Sequence, residues 1–334
     1  MNELREWAER VNAIATGFLQ SQVLFAANEA GVFAHLEQPV PAENVAAKQG
    51  WDARATRMLL NGLVALGLVA KTGETYRNTP MASACLVPGR PGYQGHIISH
   101  NRNTAVLWAR LDESLRTGAA VSGRDERTPE ELRAFILGMS DIAKFSAEEV
   151  LKVVDFSRRS RLLDVGGGPA TYSIAFVKAN PNLKATVFDR PEVIAIAREQ
   201  VAAARLQDCI DYRQGDLVTD ELGRGYDAVF VSNIIHSFGP ATNRALVRKC
   251  FDALEPGGLL VIKDFLTDDD RSGPPFSLLF ALRMLIATGE GDTYSFSEVK
   301  GWTQEAGFHN GHSKDISPQT RLWLAEKPGL RREP

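Results

Sequence analysis

Apolar residues along this chain follow two different periods. In the first third they recur at helical spacing, at Val11, Ile14, Phe18, Val23, Leu24 and Ala27, then at Val32 and Phe33 after Gly31. That spacing predicts long amphipathic helices. From residue 161 onward, short apolar runs that end in an acid or in glycines alternate with helical segments. Strand, helix and strand in alternation predict an α/β fold with a parallel, doubly wound sheet. The expected strands are Arg161–Val165, Leu183–Asp189, Ile210–Asp216, Tyr226–Asn233 and Leu259–Asp264. Helices are expected after Gly168, from Pro191 to Ala204 with proline in the first turn, and from Ala241 to Leu254, closed by Pro256-Gly257-Gly258.

The earlier part of the chain carries its own punctuation. Pro41 to Ala47 starts a short helix, and Asp52 is placed to cap a helix from Ala53 to Leu66. Two short strands follow, Gly67–Lys71 and Thr72–Arg77, around a glycine-containing turn. Helix, turn, helix and hairpin together predict a winged helix. Such a unit can bind DNA, but Arg54 and Arg57 share their helix with Met58, Leu59, Leu60, Leu63, Val64 and Leu66. Residues 1–110 hold ten Lys/Arg against eight Asp/Glu, so the electrostatic footprint of a phosphate binder is absent. No nucleic acid is expected. The surplus of apolar helical faces points to a second copy of the chain instead.

Gly95 to Leu115 is expected to be helical, Gly118 to Thr128 a polar loop, and Pro129 to Val154 a further helix. A hinge near 116–128 divides the chain into expected domains of 1–115 and 116–334. His96 and His100 would share a helix face, but with no third ligand in view no metal is expected. With 334 residues, 44% hydrophobic and 24% charged, the composition is that of a globular protein, and a net charge of −3 gives no attraction to nucleic acid or anionic lipid. The three cysteines, Cys85, Cys209 and Cys250, have no metal-ligand spacing. The N-terminus is too charged for a signal peptide and no apolar run could span a bilayer, so no membrane association and a cytoplasmic location are expected.

Candidate chemistry centres on Leu163-Asp164-Val165-Gly166-Gly167-Gly168-Pro169-Ala170-Thr171. A strand, glycine turn and helix let a ligand approach the backbone closely. The third glycine of a dinucleotide fingerprint is replaced by Thr171, and the lysine of a P-loop is missing. Asp164, just before the glycines, would repel phosphate. The turn of Asp164, Gly166 and Gly168 therefore suits an adenosine ligand without phosphates, with S-adenosylmethionine the obvious one. In doubly wound sheets the ligand lies at the C-terminal strand ends, where Asp189, Asp216, His236 and Asp264 all fall. Asp189 could accept both ribose hydroxyls, and Asp216 the adenine amino group. Capping of the following helix is the alternative for each.

In order, the motifs Leu163-Asp164-Val165-Gly166-Gly167-Gly168, Val187-Phe188-Asp189-Arg190-Pro191, Gly215-Asp216-Leu217, Ile235-His236 and Pro256-Gly257-Gly258 resemble the S-adenosylmethionine-dependent O-methyltransferases of the plant caffeate/flavonoid type and their bacterial natural-product relatives. The resemblance covers nearly the whole chain. It implies an N-terminal winged-helix dimerisation domain, a homodimer, and a Rossmann-like class I methyltransferase domain with a seven-stranded sheet. Arg321–Pro328 fits the final antiparallel strand. It also implies that Gly166, Asp189, the Arg190 backbone, Asp216 and the Leu217 backbone hold the cofactor, with His236 as general base toward a small-molecule acceptor. Histidine suits that task, because a phenol of pKa ~10 needs a base that titrates near neutrality.

Several positions depart from the family's pattern. Ser237-Phe238 follow the histidine where Asp-Trp is usual. Asp264 matches the first acid flanking the base, while the second position falls on Thr293 beside Asp292. Ser232 stands where the plant proteins often place a lysine near the adenine. A helix over Pro274–Thr288 offers Phe276, Phe280, Met284 and Thr288 as an apolar acceptor wall, with core packing as the rival account. The expected activity is O-methylation of a hydroxylated, aromatic or polyketide-like molecule. N- or C-methylation, a non-methylating reaction, and a ligand-sensing winged-helix regulator are the alternatives.

Overall fold

The computed structural model of the chain describes residues 2–121 and 128–329. The chain divides into two compact units, Met1–Thr104 and Ala105–Pro334. The expected loop from Gly118 to Thr128 lies largely outside the described residues.

The first unit opens with α1 (Asn2–Thr16) and α2 (Phe18–Glu29), then a 3₁₀ turn at Val32–His35. Next come β1 (Val40–Pro41), α3 (Ala42–Gln49) and α4 (Ala53–Ala65). Asp52 caps α4 as its position before the apolar run predicts, accepting the Ala55 amide at 2.8 Å. β2 (Val69–Thr72) and β3 (Thr75–Asn78) form the hairpin, and β1 adds to the far side of β3. α5 (Pro80–Leu86) follows, and α6 (Gly95–Trp108) runs across the division between the units. The core of this unit gathers Phe33, Leu36, Leu60, Leu63, Val69 and Tyr76. α1 contributes nothing to it and leaves Trp7, Val11 and Ile14 exposed.

The second unit begins with α7 (Leu111–Thr117) and α8 (Pro129–Val153), the latter opened by a capping box between Thr128 and Glu131. Strands and helices then alternate: β4 (Arg161–Val165), α9 (Thr171–Ala179), β5 (Lys184–Asp189), α10 (Pro191–Ala203), β6 (Ile210–Gln214) and β7 (Tyr226–Ser232). A 3₁₀ turn at Ile235–Ser237 leads into α11 (Pro240–Ala253), β8 (Leu254–Asp264), α12 (Pro275–Ala287), α13 (Phe296–Glu305), β9 (His309–Asp315) and β10 (Arg321–Glu326). The seven-stranded sheet has the order β6-β5-β4-β7-β8-β10-β9. β10 is antiparallel to both of its neighbours, so Arg321–Glu326 is the antiparallel strand the resemblance implies, with β9 outside it at the edge.

Several boundaries differ from the sequence expectation; the helix expected over Gly95–Leu115 breaks after Trp108 into α6 and α7. The third strand stops at Gln214, so Gly215 and Asp216 lie beyond it. Pro256-Gly257-Gly258 does not simply close a helix. α11 ends at Ala253, and β8 already begins at Leu254, which pairs with Tyr226 before a register shift. The two faces of the sheet carry separate cores. One joins Phe176, Phe230, Val261 and Leu324; the other joins Phe188, Val231, Ile262 and Trp302. Successive strand residues point to opposite faces, which is why β8 feeds both.

Candidate active site

Parallel pairing of Val165 with Phe188 brings the tips of β4 and β5 level. The turn after β4 then folds onto the tip of β5. The Gly166 amide donates to the Phe188 carbonyl at 2.8 Å, and the Gly168 amide donates to Asp189 Oδ2 at 2.9 Å. Glycine is required for two separate reasons. Gly166 (φ +66°) and Gly168 (φ +56°) occupy the left-handed region, and a Cβ on Gly167 would lie 2.8 Å from Asp164 Cγ. The other Asp189 oxygen accepts the Arg190 amide at 2.8 Å. Both oxygens are thus aimed by the backbone while retaining lone pairs for a ligand hydroxyl. Burial raises the Asp189 carboxyl above its ordinary range, against the opposing pull of these two amides.

Asp164 lies beneath the turn and is fully buried. Its Oδ2 accepts the Ser173 hydroxyl at 2.7 Å, while Oδ1 has no hydrogen-bond partner among the described residues. Burial pushes this carboxyl up to about 7; the Ser173 hydroxyl works against that rise and the nearby Asp189 charge adds to it. Asp216 is exposed just past β6, and its Oδ1 accepts the Val218 amide at 2.7 Å. It therefore caps its own turn rather than the next helix. The Asp216 and Arg190 positions share a cleft of about 420 Å³, together with Gln214 and Gly215. Ser232, at the tip of β7, has a buried hydroxyl without a partner among the described residues.

These features fit an adenosine ligand that carries no phosphate. The turn leaves room over Gly168, where an added Cβ would meet nothing within 4 Å. The surrounding charge is mostly carboxylate. Arg190 is paired with Glu192 at 3.2 Å, and Lys249 is engaged with backbone carbonyls of Leu217, Val218 and Asp220 at 3.1, 2.7 and 2.9 Å.

His236 lies in the 3₁₀ turn after β7, and Asp264 at the end of the adjacent β8. Their contact is His236 Nδ1 to Asp264 Oδ1 at 2.7 Å, with both residues buried. The same carboxylate oxygen accepts the Phe265 amide at 2.8 Å. Burial alone would raise the Asp264 carboxyl, but the facing imidazole, the Phe265 amide and the Lys263 charge hold it below its ordinary value. An ionised carboxylate can only accept, so Nδ1 carries the proton and Nε2 presents its lone pair. Nε2 has no hydrogen-bond partner among the described residues.

The turn that holds His236 is fastened by residues the sequence does not advertise. Asn243 donates from Nδ2 to the carbonyls of Ile235 and Phe238 at 2.9 and 3.0 Å, and the Tyr294 hydroxyl donates to the same Phe238 carbonyl. Gly291 lies against it so closely that a Cβ there would be 2.5 Å from the His236 carbonyl oxygen. Phe265 is a further member that sequence reasoning missed. It joins Phe276 and Phe280 in an aromatic cluster, and the Phe280 ring meets His236 edge-on at 4.9 Å.

The other expected acceptor residues are placed differently. Met284 is buried on α12. The Thr288 hydroxyl donates to the Met284 carbonyl at 2.7 Å and accepts the Gly291 amide at 2.9 Å, so it is engaged in a turn. The Thr293 hydroxyl donates to the Ser277 carbonyl at 3.3 Å. Asp292 accepts the Thr293 amide and pairs with Arg271 at 3.5 Å. Asp264 is therefore the one carboxylate touching the imidazole among the described residues. His96 and His100 do share α6, yet no group of three or more His, Cys, Asp or Glu among the described residues is placed to hold a metal. No described helix is long and apolar enough to cross a membrane.

Comparison with known proteins places this geometry in context. A family model described as an O-methyltransferase domain matches residues 104–309, and one described as an O-methyltransferase dimerisation domain matches residues 13–88. The chain is 36% identical over 302 residues to the 3-hydroxy-5-methyl-1-naphthoate 3-O-methyltransferase of Streptomyces sahachiroi, covering 88% of this chain and 87% of that protein. It is 32% identical over 324 residues to the tetracenomycin polyketide synthesis 8-O-methyl transferase of Streptomyces glaucescens, covering 94% and 95%. The crystal structure of human N-acetylserotonin methyltransferase in complex with S-adenosylmethionine superposes with a TM-score of 0.89 at 28% identity, covering 96% of this chain and 97% of that one.

Proposed function

The chain belongs to the O-methyltransferase family, and from that membership we propose that it methylates a phenolic hydroxyl of a small aromatic, polyketide-like molecule, with His236 as the base. S-adenosylmethionine, when bound, supplies a methyl group activated on a sulfonium. In this reading Asp189 accepts from the ribose hydroxyls, and the Asp216 turn, with Arg190 and the Leu217 backbone, borders the adenine. Asp164 shapes the turn from below. The dimerisation domain and the apolar face of α1 support a homodimer.

The observation that carries the proposal is the His236–Asp264 contact of 2.7 Å. With Nδ1 protonated and held, Nε2 takes the phenol proton, and the resulting imidazolium is stabilised by the buried carboxylate. The new bond is oxygen to methyl, the broken bond is methyl to sulfur, and the proton stays on Nε2 until solvent takes it. Phe265, Phe276 and Phe280 keep water from the base and offer flat apolar surfaces suited to an aromatic acceptor. His236→Ala should leave calorimetric affinity for S-adenosylhomocysteine nearly unchanged while lowering turnover ~100-fold or more. Undiminished turnover would remove the histidine from the mechanism.

A further inference from the structure

Lys263 is one of the largest fully buried side chains in the protein, at 2% exposure, and it sits in an otherwise apolar stretch of β8. Its Nζ donates to Asn233 Oδ1 at 3.0 Å and lies 5.6 Å from the centre of the Tyr172 ring. It pairs with no carboxylate at ion-pair distance among the described residues. An ammonium removed from water is expensive unless it meets an anion and fills its three donor positions. A single amide and an aromatic face leave that need unmet. The register sets Lys263 directly beside Ser232, whose buried hydroxyl also lacks a partner among the described residues.

The two segments that seat this ammonium both adjoin the glycine turn. Asn233 (φ +56°) bends back so that its amide donates to the Lys263 carbonyl at 2.8 Å. The next residue, Ile234, walls the turn, since a Cβ on Gly166 would come within 2.4 Å of its Cδ1. Tyr172 opens α9 directly after the turn. Lys263 and Asp264 are successive strand residues and point to opposite faces, so the ammonium is turned away from the base and from the acceptor side. The other cations nearby are committed, Arg190 to Glu192 and Lys249 to three carbonyls.

We infer that Lys263, seated by Asn233, Tyr172 and Ser232, is a cofactor-binding residue that pairs with the α-carboxylate of the methionine portion of S-adenosylmethionine. This rests on the cofactor reading above, and the chemistry leaves one choice: the carboxylate is the only anion on that molecule. Lysine from the neighbouring strand thus serves a site where β7 ends in Ser232 and is followed by Asn233. The pairing also explains how a charge can be carried in this core, because the ligand completes its neutralisation.

The test is calorimetry on the full chain with S-adenosylhomocysteine and its decarboxylated counterpart, which differ only in that carboxylate. The wild type should prefer the first by at least about tenfold, the scale of a buried charged pair. In Lys263→Met that preference should shrink to within about twofold, with the decarboxylated compound bound alike by both proteins; Lys263→Arg should restore most of it. A preference that persists in Lys263→Met, or equal weakening of both ligands, would overturn the assignment. So would a wild type indifferent to the carboxylate, which needs no variant to measure. A wild type that binds neither compound would instead bring down the cofactor reading on which the inference rests.

Discussion

In the proposed mechanism, Asp264→Asn removes a charge from the partner of the base while leaving its volume unchanged, and the surrounding donors determine which way the new amide turns. Asp264 Oδ1 receives two hydrogen bonds, from His236 Nδ1 at 2.7 Å and from the Phe265 amide at 2.8 Å. An amide nitrogen in that place would face the Phe265 N–H at 2.8 Å, donor against donor, whereas at the Oδ2 position it meets only the long contact of the His236 amide at 3.4 Å. The asparagine oxygen is therefore held at the Oδ1 position, Nδ1 keeps its proton, and the tautomer survives. What is lost is the charge that steadies the imidazolium. A hydrogen bond to a charged group contributes about 1.5–3 kcal/mol and a neutral one about 0.5–1.5, so the difference of roughly 1–1.5 kcal/mol predicts about a tenfold fall in turnover. If the amide instead inverted and forced the other tautomer, the loss would approach ~10,000-fold, as it does when a catalytic histidine loses its orienting acid. The two outcomes are far apart. Initial rates with a phenolic acceptor that the wild type methylates, followed by release of S-adenosylhomocysteine across a pH series, read them directly. A loss on the ~10,000-fold scale, or an unchanged rate, would refute the account.

Other outcomes follow from the same geometry. Gly291→Ala would set a methyl group 2.5 Å from the His236 carbonyl and 2.4 Å from Thr288 Oγ1, so turnover should fall several-fold or more with S-adenosylhomocysteine affinity retained. Full activity in that variant would mean that the His236 turn can yield. Asp164 carries the clearest pH signature. Its carboxyl rises from 3.8 to about 7 on folding, so the unfolded chain gives up this proton first. The group's contribution is most favourable below about pH 4 and declines by ~4 kcal/mol as pH rises to about 7, where it levels off. In urea denaturation, Asp164→Asn should therefore gain stability relative to the wild type between pH 5 and pH 8. A pH-independent difference between the two would contradict the assigned burial.

Much of this architecture was legible because the α/β pattern is repetitive. Apolar runs ending in acids gave the strands, and the strand tips collected Asp189, Asp216, His236 and Asp264 without any tertiary information. The edge strand β9, His309–Asp315, was not legible; it is almost entirely exposed and carries no alternating apolar pattern. Nor could residue spacing show that the carboxylate of Asp292 is drawn off by Arg271, or that Thr288 and Thr293 use their hydroxyls on backbone carbonyls. Lys263 was hidden for a related reason. A lysine near the end of a strand ordinarily marks the approach to solvent, and only the fold reveals that β10 and α9 enclose it.

The helix α11 has a consequence for how this scaffold can change. Near its start Asn243 grips the segment bearing the imidazole, and two turns further on Lys249 grips the segment bearing Asp216. A single helix thus spans the segments that bear His236 and Asp216, the two ends of the proposed site. In-line displacement tolerates little error in that spacing. Among the described residues, only Phe280 of α12 also touches the imidazole, edge-on at 4.9 Å, so the remaining α12 side chains can be exchanged with less effect on that spacing.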